Sequence, residues 1–245
     1  MADEVLAKSF ELIGTEYDRY RPGFPAAAVD VLCPHPVRAA LDLGAGTGKF
    51  TELLADRAER VCAVEPSPAM ISVLRSKLPD VDAMLGSAEQ IPVESGSIDL
   101  VTVAQAFHWF DREPACAEIA RVLVSGGALG LIWNHSDPEC PWDRAAHRIA
   151  HPAVAASDDT TSSAGEELPG FEFVRREQIR WVERIRRDAY LKRWSTVSTF
   201  LVADDATRAE MSAQIEAVLD ADPRTHGRTE FDLPVVTDVY LYRSL

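Results

Sequence analysis

Two short stretches carry the side chains whose types and spacing could do chemistry. "DLGAGTG", Asp42–Gly48, sets three glycines behind a carboxylate, and Glu65 follows Gly44 by 21 positions. "QAFHWFD", residues 105–111, crowds an amide, an imidazole, an indole and two phenyl rings ahead of Asp111. Glycines permit a tight turn and close approach of a ligand to the backbone, and the N–H groups that open a following helix can hold an anionic group. A carboxylate at the position of Glu65 can accept from both hydroxyls of a ribose. The first stretch therefore suits a ligand with a sugar and an anionic end. The second offers hydrogen-bonding groups, aromatic walls and, in His108, a base.

Two phosphate-binding patterns do not fit. In the dinucleotide fingerprint G-x-G-x-x-G the third glycine lets helix and strand pack closely. Here Gly44, Gly46 and Gly48 give G-x-G-x-G, and Lys49 takes that third place. A G-x-x-x-x-G-K-[ST] loop is also missing, because Phe50 replaces the hydroxyl that would hold magnesium. Cys33, Cys62, Cys116 and Cys140 are scattered, and no Cys/His pair has zinc-site spacing. They read as reduced core residues, and no metal is expected.

The elements that must position these stretches alternate. "AALDL" (39–43), "RVCAVE" (60–65), "VDAML" (81–85), "SIDLVTVA" (97–104) and "GALGLIWN" (127–134) read as strands. Phe50, Leu53 and Leu54 sit at helical spacing. Ser67 caps a helix that opens on Pro68 and turns Met70, Val73 and Leu74 to one face. Ile119, Val122 and Leu123 mark another helix. Strand–helix alternation with short connections means an α/β fold with a parallel sheet covered on both faces. Residues 152–170 are polar and read as a loop or insertion. Beyond them the pattern predicts a strand near 173–184, helices near 188–202 and 204–220, and a strand or hairpin at 229–243.

Bulk properties narrow the function. The chain has 245 residues, 47% of them hydrophobic, enough for a large core. A net charge of −14 argues against nucleic acid or an anionic membrane as the main partner. No apolar run approaches the ~20 residues that span a bilayer. The acidic N-terminal stretch lacks the basic start of a secretion signal. A soluble cytoplasmic protein is expected.

D-x-G-x-G-x-G at Asp42–Gly48 with the acid at Glu65 resembles the class I S-adenosylmethionine-dependent methyltransferases, of the methyltransferase type 11 kind. "GSAEQIPVESGSIDLV" (86–101) is similar to that family's adenine-contacting segment and fourth strand. "IARVLVSGGALGLIWN" (119–134) is similar to its next helix and strand, although Ser125 stands where proline is usual. "YDRYRPGFP" (17–25) and "QAFHWFD" resemble a branch of small-molecule enzymes that includes the trans-aconitate methyltransferase type. The resemblance implies a doubly wound, mostly parallel, seven-stranded Rossmann-like sheet. It also implies an N-terminal helical lid (1–36), a cofactor-binding core (37–136) and a C-terminal part (137–245) with substrate-covering helices. S-adenosylmethionine is the implied cofactor. Asp42 and the backbone of Gly44 and Gly46 would hold its methionine part, within the loop that also includes Ala45, Thr47 and Gly48. Glu65 would hold the ribose, with Pro66, Ser67 and Met70 nearby. Ser87, Ala88 and Glu89 would flank the adenine, and Gln105 and Ala106 would complete the site.

The remaining readings concern the acceptor. Tyr17, Tyr20 and Arg21 read either as a helix end packed on the domain or as a lid. In the lid, a Tyr face would stabilise the sulfonium, and Arg21 would pair with a carboxylate of cofactor or substrate. In doubly wound sheets ligands bind at the carboxyl ends of the strands, where Gln105, His108 and Trp109 lie. These three are the candidate catalytic residues, with Phe107 or Trp109 as an aromatic wall. A carboxylate acceptor needs only orientation, whereas a hydroxyl would need His108 as base. His108 and Trp109 could equally be packing residues. His135 is a second candidate base, with Trp133 and Asn134 beside it. The basic run 175–194 reads either as a solvated face with internal salt bridges to Glu177, Glu183 and Asp188 or as a source of arginines for an anionic substrate.

The expected function is methyl transfer to a small acceptor, with a carboxylic acid, and so methyl ester formation, favoured. Transfer to another oxygen, nitrogen or carbon stands second. A dinucleotide oxidoreductase and a cofactor-binding protein without turnover stand as other classes. The expected partner is a small, anionic molecule, not nucleic acid or membrane, and the protein a monomer or homodimer. Nucleic-acid amino-methylating enzymes often carry an N/D-P-P-Y type motif after the fourth strand, where this chain has "AQAFHW".

Overall fold

The computed structural model describes residues 14–151 and 167–245, apart from the side chains of Thr15, Tyr17 and Ser198. Seven strands form one sheet in the order β3-β2-β1-β4-β5-β7-β6. They are β1 (Val37–Leu43), β2 (Ala58–Glu65), β3 (Asp82–Leu85), β4 (Ile98–Ala104), β5 (Leu123–Ser136), β6 (Phe171–Arg186) and β7 (Glu230–Ser244). The first five are parallel: Leu41 lies opposite Cys62 on one side and Val101 on the other, and Ala104 lies opposite Ile132. β6 and β7 run antiparallel, since Leu245 N–H donates to the Gly170 carbonyl and Arg187 N–H to that of Thr229. The expected doubly wound sheet is present, and its winding reverses between β1 and β4.

β1 and β2 are apolar because both faces of their C-terminal halves are buried. Helices α1 (Gly14–Tyr20), α2 (Ala27–Leu32), α3 (Thr51–Leu54), α4 (Pro68–Lys77) and α5 (Arg112–Val122) connect or precede these strands. α4 begins as its sequence dictates: Ser67 Oγ accepts from Met70 N–H at 3.3 Å, and Pro68 stands in the first turn, where no N–H is needed. The helix expected from Phe50 is a single turn. α6 (Pro141–Ala150), α7 (Arg187–Trp194), α8 (Ser198–Val202) and α9 (Asp205–Ala221) follow β5 and β6.

The chain divides into two compact units. The larger holds Gly23–Asn134 with residues 167–179 and 237–245. One of its cores joins Leu41, Leu43, Val64, Val101, Ile119 and Leu131, and another joins Val29, Leu32, Phe50, Leu54, Leu100 and Ile132. The other unit includes residues 135–151 and 180–236 together with α1. Its core joins Trp142, Tyr190, Trp194, Ile215 and Phe231. There Tyr190 Oη–H donates to Asp143 at 2.7 Å, which satisfies both buried groups.

All four cysteines are free and buried. Among the described residues no helix is long and apolar enough to cross a membrane. The loop expected at 152–170 falls mostly outside the described residues, as does the start of the acidic N-terminal stretch.

Candidate functional site

The glycine turn leaves the end of β1 inside the larger unit. Gly44, Gly46 and Gly48 have φ of 70°, 56° and 84°, a left-handed backbone that side chains oppose. Space constrains them unequally. A Cβ on Gly44 would lie 2.7 Å from Ala106 Cβ, and one on Gly48 would lie 3.0 Å from Leu74 Cγ. A Cβ on Gly46 would meet only Met70 Sδ, at 3.8 Å. Gly44 and Ala45 N–H both donate to the Val64 carbonyl, which seats the turn against β2.

The two acids around this turn are bonded within the fold. Asp42 is buried, and its carboxylate accepts from Thr51 Oγ1 at 2.6 Å and Thr102 Oγ1 at 2.9 Å. Burial pushes its pKa up to about 6, against these two bonds. Glu65 accepts from Gly46 N–H and Ser67 N–H, each at 2.9 Å. Burial raises its pKa too, while the two amide bonds pull the other way. The carboxylate thus joins the glycine turn to the cap of α4. Each oxygen retains a lone pair able to accept once more. Thr47 Oγ1 is buried in the same turn without a hydrogen-bond partner among the described residues.

Ala88 is buried, and Ser87 bridges Gln90 across a tight turn. Glu89 accepts from Asp111 N–H at 3.0 Å, tying this segment to the loop after β4. Glu118 and Arg121 hold the segment from behind. Glu118 accepts from Ile91 N–H at 2.9 Å, and Arg121 donates to the Ile91 and Val93 carbonyls at 2.8 and 2.9 Å. Nothing in the spacing of Glu118 and Arg121 marks them in the sequence beyond an ordinary i,i+3 helix pair.

The loop after β4 separates its side chains sharply. Gln105 has φ of 56°, and its Nε2 donates to the Asn134 carbonyl at 3.0 Å. Ala106 packs on Gly44, and Phe107 is buried in the core against Phe110. Of the two residues offered as an aromatic wall, Phe107 is buried, because the short 3-10 turn at Phe107–Trp109 sends its ring inward, and Trp109 is exposed. His108 and Trp109 stay outward, with ring centroids 4.7 Å apart. The protein around the His108 ring withdraws enough water to push its pKa down to about 4. Its side chain has no hydrogen-bond partner among the described residues.

Trp133 is fully buried, edge-on to Tyr240, and its indole Nε1 has no hydrogen-bond partner among the described residues. Asn134 is a junction: its side chain donates to the Gly23 carbonyl at 2.9 Å and accepts from Thr237 Oγ1 at 2.6 Å.

In the smaller unit Tyr20 lies at the end of α1, with Lys192 Nζ 5.5 Å from its ring centre. Arg21 donates to the Thr196 carbonyl at 3.1 Å. The side chain of Tyr17 lies outside the described set. From Arg175 to Arg187 the arginines of the basic run are paired. Arg176 meets Asp238 at 2.8 Å, Arg180 meets Glu139 at 3.2 Å, Arg184 meets Asp232 at 2.9 Å and Arg187 meets Asp220 at 2.6 Å. The internal salt bridges expected are present at Arg175–Glu177, 3.3 Å, and Arg186–Asp188, 2.9 Å, while the partners of the other four lie far along the chain.

Residues 41–131 match the model of the methyltransferase domain family. A methyltransferase of Mycobacterium tuberculosis without a characterised substrate is 37% identical over 221 residues, which cover 90% of this chain and 89% of that one. The chain belongs to the methyltransferase family. A solved protein of Anaeromyxobacter dehalogenans, designated a type II methyltransferase, shares the methyltransferase's fold with a TM-score of 0.70. It has 27% identity and covers 92% of this chain and 97% of its own. A malonyl-[acyl-carrier protein] O-methyltransferase of Methylococcus capsulatus is 40% identical over 111 residues, 43% of this chain and 40% of that protein.

The methyltransferase is S-adenosylmethionine-dependent, as its fold and family are. The residues present fit that cofactor. The turn is held open by left-handed glycines, Glu65 lies at the end of β2, and Thr47 Oγ1 is a buried group that lacks a partner among the described residues.

Proposed function

We propose that the methyltransferase esterifies a carboxylate of a small anionic molecule. The observation that carries this reading is His108, whose exposed side chain has no hydrogen-bond partner among the described residues to fix its tautomer and whose pKa is lowered. A general base works best with a pKa near the operating pH and a partner that fixes its tautomer. A pKa of about 4 makes this imidazole a weak base. A carboxylate is ionised at pH 7 and needs none.

On this reading Glu65 and the glycine turn hold the cofactor's ribose and methionine parts, and Thr47 gains a partner. Ser87 to Glu89 take the adenine side. Asp42 shapes the turn through Thr51 and Thr102. The cofactor, when bound, supplies an electrophilic methyl group on a sulfonium. A neutral His108 N–H donates to the acceptor oxygen, and Trp109 walls the site and excludes water. The O-methyltransferase relative of Methylococcus capsulatus supports this acceptor class, since a malonyl group presents a free carboxylate.

The test uses methyl-labelled S-adenosylmethionine with a panel of di- and tricarboxylic acids and a malonyl thioester. Mild base should release the label as methanol. His108→Ala should keep turnover within about tenfold, because no proton has to be removed; loss of a true general base costs about 10²–10⁴-fold. Label resistant to base, or a loss of that larger size, would overturn the assignment.

A further inference from the structure

Gln105 is the only non-glycine residue with a left-handed backbone among the described residues. Such a conformation persists only where the surroundings hold it, and it concentrates at functional sites. The surroundings here are specific. The Gln105 N–H donates to the Ile132 carbonyl at 2.9 Å, and Nε2 donates to the Asn134 carbonyl at 3.0 Å. Backbone and side chain are therefore both bonded to β5. Asn134 is fixed in turn by Gly23 and Thr237, from the segment before α2 and from β7. Downstream, the loop is held at Ala106 by Gly44 and at Asp111 by Glu89. Between these anchors only His108 and Trp109 are exposed.

We infer that Gln105 is a positioning residue: its amide, pinned to Asn134, holds a left-handed turn that sets where His108 and Trp109 stand. The inference rests on the reading that these two residues face the methyl acceptor. It differs from a role for Gln105 as an acceptor ligand, because an Nε2 proton is directed at β5 instead.

The roles separate through two substitutions. Gln105→Ala removes the pin and keeps the opposition of a Cβ to the left-handed turn, so the turn should relax. Gln105→Gly removes both the pin and the opposition, so the turn should persist. Because it displaces His108 and Trp109 together, we expect Gln105→Ala to lower kcat at least tenfold, more than His108→Ala alone, with the acceptor KM changed less than threefold. Gln105→Gly should recover activity to within about threefold of the parent. A second readout needs no acceptor. Amide hydrogen exchange of residues 106–111, with S-adenosylmethionine bound, should quicken in Gln105→Ala and stay near the parent rate in Gln105→Gly. Equal losses of activity in both variants, with exchange unchanged, would make Gln105 an acceptor ligand and overturn the inference. Unchanged activity and exchange in Gln105→Ala would overturn it as well. If no carboxylic acid is methylated, the acceptor reading fails, and the exchange contrast still decides the role of Gln105.

Discussion

Asp42 and Glu65 show how a residue can belong to a ligand site and to the fold at once. Their types and spacing were legible, because a carboxylate on each side of a glycine turn is an uncommon arrangement. Their bonds to Thr51, Thr102, Gly46 and Ser67 were not, since Thr102 is 60 positions from Asp42 and nothing local connects them. Asp42 has a testable consequence. Its folded pKa, raised chiefly by burial to about 6, exceeds its value of 3.8 in an open chain. The folded state therefore keeps a proton that the unfolded chain has lost, and stability falls as pH rises between these two values. A gap of about two units corresponds to at most about 3 kcal/mol. Asp42→Asn should flatten that slope, read as Tm by calorimetry from about pH 4 to 7. Parallel pH profiles for parent and variant would contradict it. The left-handed Gln105 was illegible for a different reason: glutamine carries no mark of that conformation.

At the scale of elements, the glycine turn works because three residues share a backbone region for different reasons. Gly44 has no room for a side chain, Gly48 has little, and Gly46 has room but an opposed φ. Gly46→Ala should therefore cost about 1 kcal/mol, the penalty of the left-handed region alone. Gly44→Ala should cost about 2–4 kcal/mol, since Ala106 or the turn must also shift. Urea unfolding of the two variants measures the difference, and equal losses would show that the loop after β4 yields freely. The strands of the larger unit were readable from short apolar runs between helical ones. β5 and β6 run longer than their apolar parts because polar residues extend them, and period alone cannot mark where such a strand ends.

Across the whole molecule, charge was legible as a total but only in part as a pattern of partners. The arginines of residues 175–194 stand out in the sequence; Arg175 and Arg186 pair locally with Glu177 and Asp188, while Arg176, Arg180, Arg184 and Arg187 pair with Asp137 to Glu139 and with Asp220 to Asp238, brought close only by folding. Their pairing leaves the charge of −14 as the field that an anionic acceptor meets. Salt should therefore help. kcat/KM for an acid substrate should rise as ionic strength goes from about 0.01 to 0.15 M and screens the repulsion. A fall over that range would place a cationic patch at the acceptor's approach. The smaller unit was the harder to read, because Trp142, Tyr190 and Phe231 lie on separate segments with no shared period.

The buried thiols carry a consequence for how the two units open. Cys33, Cys62 and Cys116 lie in the larger unit and Cys140 in the smaller, and burial raises the pKa of each thiol. A thiol that is both enclosed and protonated reacts only when its surroundings come apart. The chain thus carries its own reporters of excursions from the native state, three in one unit and one in the other. The order in which an alkylating reagent modifies them would reveal which unit breathes first, with no label added and no residue changed.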